Sequence, residues 1–188
     1  ISDSLNVISP NPFATGHLED FESKDFGDLP DHSLLLNPAG ASVFIVNNSQ
    51  LGTVNYKIGG YGNSQNSFLW YFYGMGPGTE ASLIFEKLDL SNATGNKITF
   101  SRAYCQYQNE NDKLEVGIST DCGVSWTNVY SKAGTALATR ASNSNAFWPQ
   151  SSEWATDSID ISAYDNTADV MIRFRGISGY GNSLFIDD

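Results

Sequence analysis

Two acidic residues near the ends of the sequence could supply oxygen ligands to a hard metal ion. Glu22 lies in the segment DFES, near the predicted first strand, and Asp187 lies in the terminal segment FIDD, on the predicted last strand. Calcium takes six to eight oxygens from carboxylates, carbonyls and amides. Since the first and last strands of a jelly roll often lie side by side, we expect Glu22 and Asp187 to share a calcium ion, with Asn63 as a further ligand. An acidic surface without an ion is the alternative.

Four aromatic residues lie in segments with no strand pattern, where their rings would be free to meet a ligand. Trp148 and Trp154 fall in or beside the long irregular stretch 133–153, and Tyr61 and Tyr180 fall in two copies of GYGNS. Sugar rings stack on such faces through apolar contact, while polar groups fix their orientation. We expect these four residues to be candidates for ligand binding. The alternative for each is that it fills the core or covers a loop.

Five of six letters are shared by GGYGNS at 59–64 and SGYGNS at 178–183. A phosphate-binding loop would open onto a helix and would have a different glycine spacing, so the pattern argues against nucleotide binding. Gly and Asn adopt left-handed backbone conformations at low cost. The two copies therefore predict two loops, which we place near the same end of the molecule.

The segment STDCGVSW at 119–126 matches S-x-D-x-G-x-S/T-W, the Asp-box seen in sialidases and many repeat sandwiches. In such a turn the aspartate accepts backbone N–H bonds, the glycine takes a left-handed conformation and the tryptophan packs underneath. A sialidase would need more boxes and a cluster of arginines. We predict a structural hairpin turn.

The sequence contains no recognisable catalytic motif, and we expect no enzyme. Its two histidines, His17 and His32, are not part of H-E-x-x-H, and G-x-S-x-G is absent. A pair of glycosidase carboxylates needs no motif, so a glycoside hydrolase or lyase stays open as an alternative. Cys105 and Cys122 are too few for a zinc site, and their spacing does not decide whether they pair.

The charge balance narrows the class of partners. The chain has 21 acidic and 10 basic residues and a formal net charge of −11. Nucleic acids and anionic membranes are bound by clustered Lys and Arg, so neither is an expected partner. We expect no membrane insertion, because no apolar run approaches the roughly 20 residues of a membrane helix.

Short alternating segments separated by Gly, Asn and Ser predict about ten β-strands. The segment NENDK at 109–113 is expected to join KITFSRAYCQY to LEVGIST as a hairpin. We predict an all-β fold, an antiparallel β-sandwich with jelly-roll topology. One such domain would span 17–188, after a lead-in or linker at 1–16. An immunoglobulin-type sandwich, at roughly 100 residues, is the smaller alternative.

The order of several segments resembles a known family. Six segments follow one another in the order found in jelly-roll modules of secreted Bacteroidetes proteins. They are Phe21-Glu22, GGYGNS, LDLSNATGNKITFSRAYCQY, DKLEVGISTDCGVSWTNVYSKAG, WATDSIDISAY and RFRGISGYGNSLFIDD. These modules are of the choice-of-anchor J and cleaved-adhesin type, which is distantly similar to MAM domains. The resemblance implies calcium ligands at Glu22 and Asp187, and in some members type IX secretion or a neighbouring metallopeptidase domain.

We therefore predict a non-catalytic, calcium-binding module cut from a longer, multidomain protein that is secreted or held at the cell surface. It would be a monomeric unit that acts in adhesion by binding an extracellular glycan or protein. An accessory domain of a secreted metalloprotease is one alternative, and a glycoside hydrolase or lyase is another.

Overall fold

The computed structural model describes residues 16–25, 27–38, 41–47 and 60–188, and within these ranges ten strands form two five-stranded sheets. The predicted strand TVNYKI at 53–58, Gly59 of the first loop and nearly all of the lead-in at 1–16 lie outside the described residues. The helices found in these ranges are four 3-10 turns of three residues each. No helix there is long and apolar enough to cross a membrane.

All strand pairs in the two sheets are antiparallel. Sheet A has the order β1 (Ser33–Leu36), β4 (Glu80–Leu88), β9 (Val170–Ile177), β6 (Lys113–Ser119) and β7 (Thr127–Ala133). Sheet B has the order β2 (Val43–Asn47), β3 (Asn66–Tyr71), β10 (Ser183–Asp187), β5 (Lys97–Tyr104) and β8 (Ala155–Asp160). The predicted all-β jelly-roll sandwich is confirmed.

Two predicted relations between strands are wrong. NENDK does not form a hairpin, because β5 pairs with β10 and β8 in sheet B, whereas β6 pairs with β9 and β7 in sheet A. The first and last described strands are not neighbours either, since β1 lies at the edge of sheet A and β10 at the centre of sheet B. The alternation of apolar residues shows which face of a strand is buried, and it does not show which strand pairs with it.

The core between the sheets depends on a close approach at one glycine. Trp70 on β3 is fully buried, and its indole Nε1 donates to the carbonyl of Ala81 on β4 at 3.1 Å. A Cβ atom at Gly176 on β9 would lie 2.4 Å from the Trp70 ring. Glycine is needed at position 176 because the ring packs directly on the backbone of the opposite sheet.

The turn between β6 and β7 has the structure predicted for an Asp-box. Asp121 Oδ1 accepts the backbone N–H of Ser125 at 2.9 Å, and Asp121 Oδ2 accepts the Ser125 hydroxyl at 2.5 Å. Gly123 has a φ of +83°, and Trp126 Nε1 donates to the Gly123 carbonyl at 3.1 Å. The hydrogen bonds from Ser125 are the main cause that lowers the pKa of Asp121 to about 2.

Replacing Asp121 with Asn should lower the melting temperature at pH 7 and leave it almost unchanged near pH 2. The pKa of about 2 in the folded protein lies below the ordinary value of 3.8, so the ionised carboxylate stabilises the folded state above pH 3.8. That contribution is lost as the pH falls towards 2. Circular dichroism melts of both proteins from pH 7 to pH 2 measure the difference. Equal melting temperatures at pH 7 would contradict this role of the turn.

Candidate functional site

The outer face of sheet B carries a second apolar layer, separate from the core between the sheets. Leu69, Ala103 and Phe185 lie on three neighbouring strands and are fully buried in this layer. Phe147, from the irregular segment 137–154, packs on Phe185 with ring centroids 6.2 Å apart. The long irregular stretch predicted from the sequence is therefore the cover of this face.

Aromatic rings form a row over this apolar layer. At one end, Tyr61 contacts Trp154 with ring centroids 6.4 Å apart, and Trp154 contacts Phe185 at the same separation of 6.4 Å. Phe185 also contacts Trp148, at 6.1 Å. One buried ring at the centre of sheet B therefore supports both tryptophans.

The row continues from Trp148 over the end of β3. The rings of Trp148 and Tyr71 are 6.1 Å apart and only 11° from parallel. Tyr71 contacts Tyr73 at 6.0 Å, and Tyr73 contacts Tyr107 at 5.8 Å. Every ring except Phe185 keeps part of its surface exposed. We call this set the aromatic row: Tyr61, Trp154, Phe185, Trp148, Tyr71, Tyr73 and Tyr107.

Three of the four aromatic candidates from the sequence thus share one surface, and Tyr180 does not join them. Tyr180 is 59% exposed and has a φ of +66°. None of the ring contacts between described residues involves it. Its ring projects from the second GYGNS loop, and nothing in the geometry connects it to the other three.

Glu22 closes the first GYGNS loop. Its Oε1 accepts the Ser64 hydroxyl and the backbone N–H groups of Gln65 and Asn66, each at 2.7 Å. The Asn66 side chain in turn donates to the Phe21 carbonyl at 2.9 Å. These bonds tie the N-terminal segment to the start of β3.

Asp187 meets the same loop from the end of β10. Its side chain is buried, and Oδ2 accepts the backbone N–H of Tyr61 at 2.6 Å. A Cβ atom at Gly60 would lie 2.0 Å from that oxygen and 2.4 Å from Ser64 Oγ. Glycine at position 60 thus lets the backbone reach the carboxylate. Through Ser64, the loop brings Glu22 and Asp187 to one place.

The region where Glu22 and Asp187 meet the first GYGNS loop is acidic. Burial raises the pKa of Asp187 to about 7, and the charge of Asp188 adds to the increase. Burial also raises the pKa of Asp188, with contributions from Asp20 and Glu22.

The described residues contain no group of three or more His, Cys, Asp or Glu placed to hold a metal. A cation here would therefore need carbonyl, hydroxyl or amide oxygens as well. Asn63 is exposed, and no hydrogen bond joins it to either ligand candidate.

Asp112 holds the second GYGNS loop in a similar way. Its buried carboxylate accepts the backbone N–H groups of Gly179 at 2.7 Å and Gly181 at 3.1 Å on Oδ1, and of Asn182 at 2.8 Å on Oδ2. The Tyr104 hydroxyl adds a fourth bond at 2.8 Å. In both loops, backbone N–H groups bind a buried carboxylate that another part of the chain supplies.

The two loops lie at opposite ends of neighbouring strands, so the prediction that they share one end is wrong. The first loop precedes β3 and the second precedes β10, and these strands are antiparallel. In their ladder Ser183 pairs with Tyr71, and Ile186 pairs with Phe68. The start of each strand therefore lies beside the end of the other, and the shared letters reflect a shared turn chemistry.

The histidines and cysteines form no reactive pair within the described ranges. Cys105 is buried, Cys122 is exposed, and both thiols are free. His17 and His32 are exposed, and His32 Nδ1 lies 3.1 Å from Glu86 Oε2. No hydrogen bond links a described cysteine to a described histidine, so this set offers no thiol with an adjacent base.

A cavity of 430 Å³ lies between the sheets, near Asp187. Phe85, Phe100 and Phe174 are among the apolar side chains that line about half of it, and Glu19 is one of five charged residues in the lining. Its rings belong to the core between the sheets, whereas the rings of the aromatic row lie on the outer face of sheet B, where a sugar chain could stack on them. The aromatic row is thus the better candidate for a glycan.

Asp112 and the tyrosines Tyr71, Tyr73 and Tyr107 were not predicted as site residues. No local pattern marks Asp112, because its partners in the loop are 67 to 70 residues away in the chain. The aromatic run SFLWYFY was a signal for Tyr71 and Tyr73, since it contains more rings than one buried strand face can take, and Tyr107 lies outside it. The excess rings lie on the outer face.

No protein-family model matches the sequence, and no curated protein does either. The fold is similar to the K2 cleaved adhesin domain of Lys-gingipain (Kgp), with 20% identity, coverage of 92% of this chain and 96% of that chain, and a TM-score of 0.63. The K1 cleaved adhesin domain of Lys-gingipain from Porphyromonas gingivalis W83 is also similar, with 20% identity, coverage of 90% of this chain and 92% of that chain, and a TM-score of 0.61. TmCBM61, solved in complex with β-1,4-galactotriose, has 15% identity, coverage of 90% of this chain and 90% of that chain, and a TM-score of 0.51. At these identities the likeness shows the fold, a β-sandwich shared with cleaved adhesin domains and with a carbohydrate-binding module.

Proposed function

We propose that the protein is a non-catalytic binding module that holds an extracellular glycan on the aromatic row and takes up calcium at the first GYGNS loop. The observation that carries the proposal is the row itself, in which six partly exposed rings lie around the buried Phe185 on the outer face of sheet B. Exposed aromatic surface grouped in this way marks a site of interaction.

The chemistry of the row suits a carbohydrate. Neighbouring ring centroids lie 5.8 to 6.4 Å apart, so the row is longer than one sugar ring and fits an oligosaccharide. The aromatic faces would stack on sugar C–H groups, and the phenol hydroxyls and indole N–H groups would bind sugar hydroxyls. The rings need no ordering on binding, because Phe185 and the strands already fix them.

The similar solved structures support this function and its setting. Two of them are cleaved adhesin domains and one is a carbohydrate-binding module solved with a galactotriose. By analogy of fold, the chain would serve as a module of a secreted or surface-exposed protein. A protein ligand in place of a glycan is the second candidate, since the same exposed rings would suit a protein interface.

Calcium would stabilise the acidic place beside the first loop. Asp187 and Glu22 both accept hydrogen bonds from the first GYGNS loop, and two further carboxylates, Asp20 and Asp188, lie near enough to interact electrostatically. Burial opposes the ionised form of Asp187, and a bound cation would reverse that preference. The residues fit an oxygen-rich calcium site in which Glu22 and Asp187 are ligands and loop oxygens, with Asn63 among the candidates, complete the shell. The ion would fasten the N-terminal segment to the end of β10.

Replacing Trp148 with Ala should weaken glycan binding by at least about tenfold, or about 1.4 kcal/mol. The reason is that Trp148 joins the two halves of the row. The measurement is isothermal titration calorimetry with neutral gluco- and galacto-oligosaccharides, including β-1,4-galactotriose, chosen after a glycan-array screen.

Tyr180→Ala provides the matched control, because Tyr180 is an exposed ring outside the row. It should leave the affinity within about twofold, a change of about 0.4 kcal/mol. Equal losses in the two variants would place the site elsewhere, and absence of binding across the array would overturn the glycan proposal. Steady release of shorter products from the oligosaccharides would show a hydrolase or lyase.

Calcium should raise the melting temperature, and Asp187→Asn should abolish the increase. A ligand that binds only the folded state, at 100 times its Kd, adds about 2.7 kcal/mol of stability, which is about 5–10 °C for a domain of this size. Differential scanning calorimetry in calcium and in chelator measures the shift. Asp121→Asn, at the distant Asp-box turn, should keep the whole calcium increment. Identical melts of the native protein in calcium and in chelator would contradict the site.

A further inference from the structure

Three side chains converge on the outer face of sheet A, far from the aromatic row. The guanidinium of Arg173 on β9 lies over the Trp126 ring, 4.5 Å from its centroid. A Cβ atom at Gly117 on β6 would lie 3.5 Å from Arg173 Nη2, 3.5 Å from Trp126 Cε3 and 3.3 Å from Asn128 Oδ1. All three side chains thus meet above one glycine, whose missing side chain leaves room for them.

Within the described residues, the charge of Arg173 interacts with the Trp126 ring and, without an ion pair, with Glu115 and Glu80. Its neighbour Arg175 forms ion pairs with Glu80 and Glu115, and Lys113 lies 3.6 Å from Glu115. Arg173 forms no salt bridge with a described residue, and its Nε is buried without a hydrogen-bond partner. The buried Nε is out of reach of a ligand at the surface, so a ligand would bind the terminal Nη groups of Arg173, which no salt bridge to a described residue occupies.

We infer that Arg173, Trp126 and Asn128 form a second binding site, which takes the carboxylate of a uronate residue in an acidic glycan. A guanidinium binds a carboxylate through two parallel hydrogen bonds in a fixed plane. Stacking on Trp126 holds the Arg173 plane in place, and the exposed amide of Asn128 lies beside it to bind a sugar hydroxyl.

A glycan fits this place better than a peptide does. β6 is paired on both sides, with β9 and β7, and β9 is paired on both sides, with β4 and β6. A peptide that binds by adding a strand needs a free sheet edge, which the centre of sheet A does not offer. The recognition groups here are side chains on the face of the sheet, and they suit a ligand recognised by its hydroxyls and its charge.

The charged groups around the site favour short-range recognition. Three basic side chains (Arg173, Arg175 and Lys113) face two acidic ones (Glu80 and Glu115), so this patch carries one excess positive charge. The chain as a whole carries −11, so long-range attraction does not draw an anion to it. Binding must therefore depend on the guanidinium of Arg173 itself.

Calorimetric titration of the full chain with a panel of uronate trisaccharides (galacturonate, glucuronate and mannuronate) tests the site. At least one acidic trisaccharide should bind more tightly than its neutral counterpart. Arg173→Gln should weaken that binding by about tenfold or more, as loss of a charged hydrogen-bonded partner does. Arg173→Lys keeps the positive charge and loses the two parallel N–H donors of the guanidinium. It should weaken that binding by an intermediate factor.

Arg140→Gln is the matched control, because it removes one positive charge from an exposed residue that pairs with Glu153. It should change the affinity for the acidic trisaccharide by less than about twofold, a difference of about 0.4 kcal/mol. Unchanged melting temperatures establish that the Arg173 variants fold. No binding across the panel, full binding by Arg173→Gln or equal binding of acidic and neutral sugars would overturn the site. Tighter binding of an acidic peptide would also overturn it.

The two sites can be tested separately. Arg173→Gln should keep neutral oligosaccharide binding, and Trp148→Ala should keep uronate binding, because the residues lie on different sheets. Loss of both ligands in either variant would show one shared site and would contradict the second one.

Discussion

Buried carboxylates hold both ends of β10, and the geometry of sheet B depends on them. At one end Asp187 accepts the Tyr61 N–H, and at the other Asp112 accepts three N–H groups of the loop that leads into β10. A buried carboxylate is tolerated only when donors replace the water that it loses. Each GYGNS loop provides these donors, since its glycines let the backbone approach the carboxylate closely. β10 lies between β3 and β5, so its position sets the position of both neighbours.

The aromatic row depends on this fixed strand. Phe185 at the centre of β10 supports Trp148 and Trp154, which approach from the irregular segment 137–154. That segment has little regular structure of its own, so its rings are placed by contact with the sheet. A site whose rings are supported by a rigid strand loses little conformational entropy on binding. Calcium at Asp187 would add to this rigidity, which connects the proposed ion to the proposed ligand site.

Local chemistry could be predicted from the sequence, and contacts between distant parts of the chain could not. The Asp-box turn around Asp121 and most strand segments follow from residue type and alternation, which act over a few residues. Glu22 and Asp187 were expected to come together because the first and last strands would be neighbours. The described strands β1 and β10 are not neighbours, and the two side chains instead meet at the first GYGNS loop. The crossing between β5 and β6 and the role of Asp112 depend on partners far away in the chain. A single sequence carries no local signal for them.

The two outer faces of the sandwich differ because their alternating positions differ. The outward positions of β10 and β3 include the apolar residues Phe185 and Leu69, and burying these two requires other residues to cover them. The covering segment 137–154 contains Trp148 and Trp154, and the incomplete burial of these two rings leaves a surface for stacking. On β9 the positions that alternate with core residues are Arg173 and Arg175, which need partners and no cover. Arg175 finds its partners on the neighbouring strands, and Arg173 stacks on an aromatic ring. The same pleat thus gives one face with a layer of partly exposed rings, where we propose a neutral-sugar site, and another with a guanidinium stacked on a tryptophan, where we propose a carboxylate site.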